Sequence, residues 1–227
     1  MRPTPAKSSH DGYITGYDEL NSTRTLASYF LSTSHRIMEK AIDSQQHFSR
    51  VLEVGAGTGE HLRFVRHPYD QYYITDQSEE MLGAARRKYA SVADARLVFE
   101  KQDASKLSYP DESFDRLIAT HVLEHLPDPV AVLQEWNRLV RQGGLISIVL
   151  PCDPGMLWRL GRYLGPRRNA RRLGIEYDYL MATEHINSIY NLVVLIRYHF
   201  PQAREAWYPA RLPLPDLNLF YICNIQK

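Results

Sequence analysis

The chain has 227 residues, 44% of them hydrophobic, which is enough to bury one substantial core. Its net charge is only +1, so composition gives no general case for a nucleic-acid partner. The two cysteines, Cys152 and Cys223, lack metal-ligand spacing and favour a reducing, cytoplasmic compartment. The N-terminus has no signal-peptide core and no stretch of about 18 apolar residues occurs, so we expect no transmembrane segment.

Near the N-terminus, residues 11–18 combine two tyrosines, Tyr13 and Tyr17, with two glycines. Such a segment can fold over a ligand and supply phenol hydroxyls. Its aromatic rings can equally serve packing alone, because they bury much apolar area in any role. The sequence leaves both interpretations open.

Residues 50–59 are a short apolar strand that runs into a turn containing Gly55, Gly57 and Gly59. Glycines at alternating positions let backbone amides approach a ligand that a Cβ atom would hold off. A dinucleotide fingerprint would place its last glycine one residue later, where this chain has Glu60, and the Lys-Ser/Thr of a P-loop is missing. The loop therefore favours a nucleoside without phosphates.

The following residues alternate between strand-like and helix-like segments, which predicts a parallel sheet with helices on both faces. Strands are predicted at 72–74, 97–99, 113–119 and 145–150. Helices are predicted at 78–89, with Ser78 as N-cap, and at 128–141, closed by Gly143 and Gly144. Asp76 and Asp103 follow the second and third strands directly.

Residues 151–183 form an insertion that is rich in arginine. Between Pro154 and Ile175 the sequence has no acidic residue and contains Arg159, Arg162, Arg167, Arg168, Arg171 and Arg172. Apolar residues at helical spacing predict a basic amphipathic helix around 156–164, followed by a turn at Gly165 and Pro166. Three interpretations stay open: contact with a phosphate- or carboxylate-bearing ligand, contact with an anionic membrane surface that holds a lipid-linked ligand, or a solvated lid.

Beyond the insertion, a helix is predicted at 187–199 and strands at 204–208 and 217–225. Two strands without an intervening helix indicate a hairpin.

The segment from Glu53 to Gly59 resembles the first motif of the class I S-adenosylmethionine-dependent methyltransferases, and Asp76, Asp103 and residues 120–126 follow in that family's order. The resemblance covers roughly residues 50–149. It implies a Rossmann-like, doubly wound seven-stranded sheet of order 3-2-1-4-5-7-6, with strand 7 antiparallel, plus an N-terminal helical cap. We expect one domain comprising a cap (1–48), a cofactor-binding core (50–150), an acceptor-shaping insertion (151–186) and a C-terminal helix and hairpin (187–227).

The same resemblance implies S-adenosyl-L-methionine as the cofactor. In the family, the glycine loop approaches the cofactor, an acid in the position of Asp76 accepts hydrogen bonds from the ribose hydroxyls, and a carboxylate in the position of Asp103 takes the adenine amino group. Further residues assigned to the cofactor are Tyr17, Glu53, Gln77, Met81, Ala104 and His121.

We expect methyl transfer to a small-molecule acceptor, at oxygen, with an anionic or lipid-linked acceptor held by the Arg159–Arg172 region. A hydroxyl acceptor needs a base, for which His185 and His121 are the candidates, whereas His125 is expected to fix its own turn. Little in the sequence favours a nucleic-acid acceptor, and no metal is predicted. The alternatives are N- or carboxyl-methylation, and a non-catalytic cofactor-binding subunit; Glu60 disfavours a dinucleotide oxidoreductase.

Overall fold

The structure is a computed structural model that describes residues 26–92, 94–172 and 174–227. One seven-stranded sheet has the order β3-β2-β1-β4-β5-β7-β6. The strands are β1 (Phe48–Val54), β2 (Tyr69–Asp76), β3 (Leu97–Lys101), β4 (Phe114–Thr120), β5 (Val140–Pro151), β6 (Arg204–Pro209) and β7 (Asn218–Gln226). Strands β1 to β5 pair in parallel, and β7 is antiparallel to both of its neighbours. The predicted fold class and strand order are confirmed.

Seven α-helices accompany the sheet in the described part of the chain. They are α1 (Leu26–Lys40), α2 (Glu79–Tyr89), α3 (Pro129–Leu139), α4 (Met156–Leu164), α5 (Pro166–Arg172), α6 (Tyr177–Glu184) and α7 (Ile189–His199). Short 3-10 turns lie at His61–Phe64, Leu123–His125 and Pro215–Leu217. The division into cap, core, insertion and C-terminal part stays a prediction.

Most predicted helix ends agree with the structure, and one is wrong. Ser78 caps α2 as expected, because its Oγ accepts a hydrogen bond from the Met81 amide at 3.3 Å. Helix α3, in contrast, ends at Leu139 and not at residue 141, and Gly143 and Gly144 lie inside β5. The chain enters the sheet at once because Val140 pairs with Phe114 of β4.

Buried apolar side chains form a core on each face of the sheet. Consecutive residues of β1 point to opposite faces, so Leu52 joins the cluster that includes Trp136 of α3, and Val51 joins the cluster that includes Met38 of α1 and Leu82 of α2. Both clusters contain residues that are fully shielded from solvent. The sheet is therefore covered on both sides, as parallel strands require.

A charged side chain, Arg116 of β4, lies fully buried in the middle of the sheet. Its guanidinium donates to Glu39 Oε1 of α1 at 2.5 Å, to Ser147 Oγ at 3.2 Å, and contacts His67 Nε2 at 2.6 Å. Burial by itself would raise the pKa of Glu39, but Arg116 outweighs this effect and the pKa falls to about 2. The pair therefore stays ionised at neutral pH.

We expect the stability of the fold to fall between about pH 6.5 and pH 4. Burial, followed by the charge of Arg116, lowers the pKa of His67 to about 4 in the folded state. Between these two pH values the imidazole is protonated in the unfolded chain and neutral in the fold, so a lower pH favours unfolding. Urea unfolding at pH 7.5 and pH 5 should show a loss of about 2 kcal/mol from this residue. His67→Gln should reduce that loss, whereas the exposed control His47→Gln should not; equal pH dependence in both variants would contradict the assignment.

Candidate active site

The turn after β1 adopts a backbone that glycine alone enters readily. Gly55, Gly57 and Gly59 have φ angles of +57°, +55° and +70°. A Cβ atom on Gly55 would lie 2.6 Å from Cγ2 of Val122, whereas a Cβ on Gly57 would meet no atom within 4 Å. The first glycine is thus needed for packing, and the second leaves its backbone open to a ligand.

A cavity with about 700 Å³ of empty space, including the solvent at its mouth, opens beside this turn. It lies between α1, the glycine turn and the end of β4. Four of the predicted site residues border it: Glu53, Gly55, Gly57 and His121. The structure therefore brings the ends of β1 and β4 together at one site, which is the position expected for the ligand in this sheet order.

Glu53 is buried at this cavity near the end of β1. The Tyr72 hydroxyl donates a hydrogen bond to its Oε2 at 2.7 Å. Burial raises the pKa of Glu53 above its usual value, against the opposing effect of His61. The Tyr72 hydrogen bond thus fixes the carboxyl group at the cavity.

Asp76 ends β2 beside the glycine turn. Its Oδ2 accepts a hydrogen bond from the Gly57 amide at 2.8 Å, and its Oδ1 accepts one from the Ser78 amide at 2.8 Å. The carboxylate is thus directly linked to the loop with the open backbone. Gln77 and Met81 follow it at the start of α2.

Asp103 and Ala104 follow β3 at the same edge of the sheet. Asp103 is exposed and accepts hydrogen bonds from the amide and hydroxyl of Ser105 at 2.8 and 2.7 Å. The Ala104 carbonyl accepts one from the Trp136 ring at 2.9 Å. These two residues, with Asp76, Gln77 and Met81, do not border the described cavity. Tyr13 and Tyr17 lie outside the described residues.

His121 directly follows β4 and has a left-handed backbone, with φ of +59°. This conformation is uncommon outside glycine, and the surrounding structure maintains it: the His121 amide donates to the Val149 carbonyl at 2.9 Å. Among the described residues, its buried Nε2 atom has no hydrogen-bond partner. The ring is therefore held at the cavity with one nitrogen free for a ligand.

His185 borders a second cavity, between Asp153 and helix α6. Its Nδ1 lies 2.8 Å from Asp153 Oδ2, and Arg162 donates to the same oxygen at 3.1 Å. Burial would raise the pKa of Asp153, but the contacts with His185 and Arg162 lower it overall. The two histidines predicted as bases thus border different cavities.

Glu124 is almost completely buried, and the rings of His121 and His125 are its nearest charged or titratable neighbours among the ion pairs of the described residues. The nearest imidazole nitrogens are His121 Nδ1 at 3.7 Å and His125 Nε2 at 3.8 Å, beyond hydrogen-bond distance. Burial would raise the pKa of Glu124, but the neighbouring histidines more than offset it and the pKa is lowered. His125 itself contacts the Glu184 carbonyl through Nδ1 at 2.9 Å, so it links its turn to α6.

Two further cavity residues, His35 and His61, were not identified from the sequence. Their Nδ1 atoms lie 2.8 Å apart, and His61 Nε2 contacts Glu39 Oε1 at 3.0 Å. Burial, then the positive charge of neighbouring groups, holds the pKa of His35 well below its usual value. The one available signal was the spacing of His35 and Glu39, which places both on one face of a helix.

The insertion exposes apolar residues next to arginines. Helix α4 has no buried residue, and its exposed apolar side chains are Met156, Leu160, Tyr163 and Leu164. Arg162 and Arg167 pair with Asp153 and Asp178. No ion pair is found within the described residues for Arg159, Arg168, Arg171 and Arg172. The predicted basic amphipathic helix is therefore present as α4; of its two arginines, Arg162 is paired, and Arg159 has no ion pair among the described residues.

Comparison with known proteins agrees with this geometry. Residues 52–148 match the family model described as a methyltransferase domain. A phosphatidylethanolamine N-methyltransferase of Cereibacter sphaeroides is 39% identical over 101 residues, which are 44% of this chain and 49% of that protein. A demethylmenaquinone methyltransferase of Roseiflexus castenholzii is 30% identical over 176 residues, 73% of this chain and 71% of the other.

A solved structure shares the fold. A putative S-adenosyl-L-methionine-dependent methyltransferase of Methanococcus maripaludis aligns with a TM-score of 0.65 and 16% identity, over 100% of this chain and 97% of the other. The chain belongs to the class I S-adenosylmethionine-dependent methyltransferases, the family whose cofactor is S-adenosylmethionine. It spans about half the length of the first relative. Within its described residues, none of the helices combines the length and apolar character needed to cross a bilayer.

Substitutions of Gly55 and Gly57 should separate the effect of packing on stability from the effect of the loop on cofactor binding. Gly55→Ala should destabilise the fold by about 2 kcal/mol or more, because its methyl group meets Val122 and φ is positive. Gly57→Ala should cost about 1 kcal/mol, since only the φ is unfavourable, yet weaken S-adenosylmethionine binding about 10-fold. Urea unfolding and calorimetric titration measure the two effects. Equal losses of stability would show that the described packing at Gly55 is wrong.

Proposed function

We propose that this chain transfers the methyl group of S-adenosylmethionine to a small-molecule acceptor. The observation that carries the proposal is the link between Asp76 and the Gly57 amide, beside a cavity that ends at His121. Gly55, Gly57 and Gly59 shape the approach to the cofactor. Asp76 holds the ribose hydroxyls, and Asp103 the adenine amino group.

The remaining cofactor contacts are assigned to the edge of the sheet around this loop. Glu53 faces the cavity as a fixed carboxyl group and suits the amino group of the methionine part. His121 lies at the same cavity, next to His35, and we assign it to the side of the methyl group. Gln77, Met81 and Ala104 are further residues proposed here, and Tyr17, which lies outside the described residues, is proposed from the sequence alone.

The chemistry consists mainly of alignment. The sulfonium of the cofactor is already a strong electrophile, so the protein has to place an acceptor lone pair in line with the methyl–sulfur bond. We assign the acceptor to an oxygen atom, whose proton must be removed during transfer. His121 from the cofactor side and His185 from the second cavity are the two candidates for this step, with Asp153 orienting the His185 ring.

We further propose that the acceptor is anionic or lipid-linked and approaches from the insertion. Exposed Met156 and Leu160 adjoin the 3-10 turn Pro215–Leu217, where the Met156 amide donates to Asp216. That turn region exposes two more apolar side chains, Leu214 and Leu217. An apolar surface bordered by unpaired arginines suits an anionic interface.

The names of two relatives, phosphatidylethanolamine N-methyltransferase and demethylmenaquinone methyltransferase, agree with a lipid-type acceptor. Methylation at nitrogen is the alternative that the first name favours.

The two cysteines are free and buried, in keeping with a reaction in the reducing cytoplasm.

Calorimetric titration should show binding of S-adenosylmethionine and of its demethylated product, and none of NAD. Asp76→Ala should weaken this binding about 10-fold or more, because two ribose hydroxyls lose a charged acceptor. Asp43→Ala is a matched control, since Asp43 is exposed and bonds a backbone amide in a surface turn. Unchanged affinity in Asp76→Ala would reject the assignment of the ribose site, and NAD binding would reject the cofactor.

Vesicle binding tests the proposed surface. Arg168→Glu with Arg171→Glu should reduce binding to phosphatidylglycerol vesicles about 10-fold or more, because about 1 kcal/mol is lost for each basic residue near the surface. Arg87→Glu with Arg204→Glu, an equal charge change on exposed residues of α2 and β6, should have little effect. High salt should weaken the wild-type interaction. If phosphatidylcholine and phosphatidylglycerol vesicles bind equally, the anionic interface is wrong.

A further inference from the structure

Three side chains that can bind a metal meet at His185, which borders the second cavity. Ligand atoms from Glu124, His125 and His185 lie within 4.8 Å of one another. The two histidine rings stand almost perpendicular, with centroids 4.9 Å apart. Ligands at about 2.0–2.1 Å from a tetrahedral zinc ion lie roughly 3.4 Å apart, so a small inward movement of these side chains would bring all three within reach of one ion.

Each imidazole already has one nitrogen engaged by an oxygen acceptor. His125 Nδ1 contacts the Glu184 carbonyl at 2.9 Å, and His185 Nδ1 contacts Asp153 Oδ2 at 2.8 Å. A nitrogen that donates its proton in this way leaves Nε2 unprotonated and able to bind a metal, and Nε2 of His125 lies 3.8 Å from Glu124 Oε1. Metal-bound histidines in proteins have this arrangement, with a carboxylate or a backbone carbonyl on the second nitrogen.

The carboxylate of Glu124 supplies the independent observation. Among the described residues, neither of its oxygen atoms has a hydrogen-bond partner, although the side chain is only 2% exposed. Buried carboxylates are normally paired with a cation or satisfied by donors, because desolvation of an unpaired charge is costly. Its Oε1 atom lies 3.8 Å from Nε2 of His125, so the carboxylate offers an unfilled ligand position beside one imidazole of the cluster.

We propose that Glu124, His125 and His185 bind a divalent transition-metal ion, with Zn²⁺ the best fit to two imidazoles and one carboxylate. This donor set favours borderline cations over Mg²⁺ or Ca²⁺, which prefer oxygen ligands alone. Asp153 positions His185, and Arg162, bound to the same carboxylate, positions Asp153 in turn. The sequence predicted no metal because these residues come from separate parts of the chain.

A three-residue ligand set leaves at least one coordination position open. His185 borders the second cavity, so that position can take a water molecule or a polar atom of a bound molecule. With the ion in place, Nε2 of His185 is a ligand, and His121 remains as the histidine able to accept a proton from the acceptor. Metal binding itself does not depend on methyl transfer.

The test uses untagged full-length protein that has been stripped with a chelator and contains no S-adenosylmethionine. Competition with a chromophoric zinc chelator should give one equivalent of bound Zn²⁺ with Kd below about 1 µM, a typical range for a three-ligand site. Cobalt substitution should give visible absorption bands of a low-coordinate site. Mass spectrometry of the metal content gives the stoichiometry.

Variants decide which residues hold the ion. Glu124→Gln and His185→Ala should each weaken zinc binding about 100-fold, and Asp153→Asn about 10-fold, through loss of the second contact on His185. The exposed His47→Ala should bind as the wild type does. Far-UV circular dichroism and S-adenosylmethionine titration of each variant show that the fold is retained.

Two results would overturn the proposal. One is wild-type protein that takes up no stoichiometric zinc, while still binding S-adenosylmethionine, which would leave the methyltransferase assignment intact. The other is zinc binding that persists unchanged in Glu124→Gln, His185→Ala and Asp153→Asn, which would place the ion elsewhere. Failure of S-adenosylmethionine binding with retained zinc binding would instead reject the proposed function alone.

Discussion

A buried ion pair between Arg116 and Glu39 joins helix α1 to the middle of the sheet. Because a guanidinium in the core has no water around it, the protein must provide its partners. Glu39 does so from α1 and Ser147 from β5, and the Ser147 hydroxyl in turn donates to Asn224 of β7 at 2.6 Å. Helix α1 can therefore take one position, the one at which Glu39 reaches the guanidinium. Removing either partner alone would leave an uncompensated charge in the core.

The same helix forms one wall of the candidate active site. His35 lies one turn before Glu39 on α1, and its ring contacts His61 from the turn that follows the glycine loop. The ion pair thus places His35 at the cavity, and the Glu39–His61 contact connects the cavity wall to the core. At the same cavity, the ring of His121 lies next to that of His35, with centroids 6.3 Å apart, and its left-handed backbone is held by the sheet at β4 and β5. A rigid sheet edge and one anchored helix together define the pocket.

The region around the second cavity is built differently. Here the residues come from turns and from the insertion, and polar contacts join them: His125 to the Glu184 carbonyl, His185 to Asp153, and the Asn187 side chain to the carbonyls of Leu123 and Leu126. These contacts fix the start of α7 against the turn after β4. The insertion beyond them carries exposed apolar side chains and arginines, and Glu124 is a buried carboxylate at this end of the contacts.

The sequence by itself predicted the strands and the glycine loop, whereas the family resemblance supplied the order of the strands in the sheet. Alternating apolar segments, the glycines at 55, 57 and 59, and the acids that end β2 and β3 are local patterns, and each depends only on neighbours in the chain. For the same reason the Ser78 cap was predictable, whereas the end of α3 was not: Val140 joins the sheet through Phe114, which no local pattern reveals.

Tertiary structure alone decided which distant groups meet. Arg116 and Glu39 are 77 residues apart, and His185 and Asp153 are 32 apart, so neither pairing has a signal in local spacing. Burial made these pairings necessary, since a charge or an imidazole removed from water needs a partner wherever the fold places one. The positions of the two cavities, the separation of His121 from His185, and the convergence of Glu124, His125 and His185 follow from that packing and not from the order of residues.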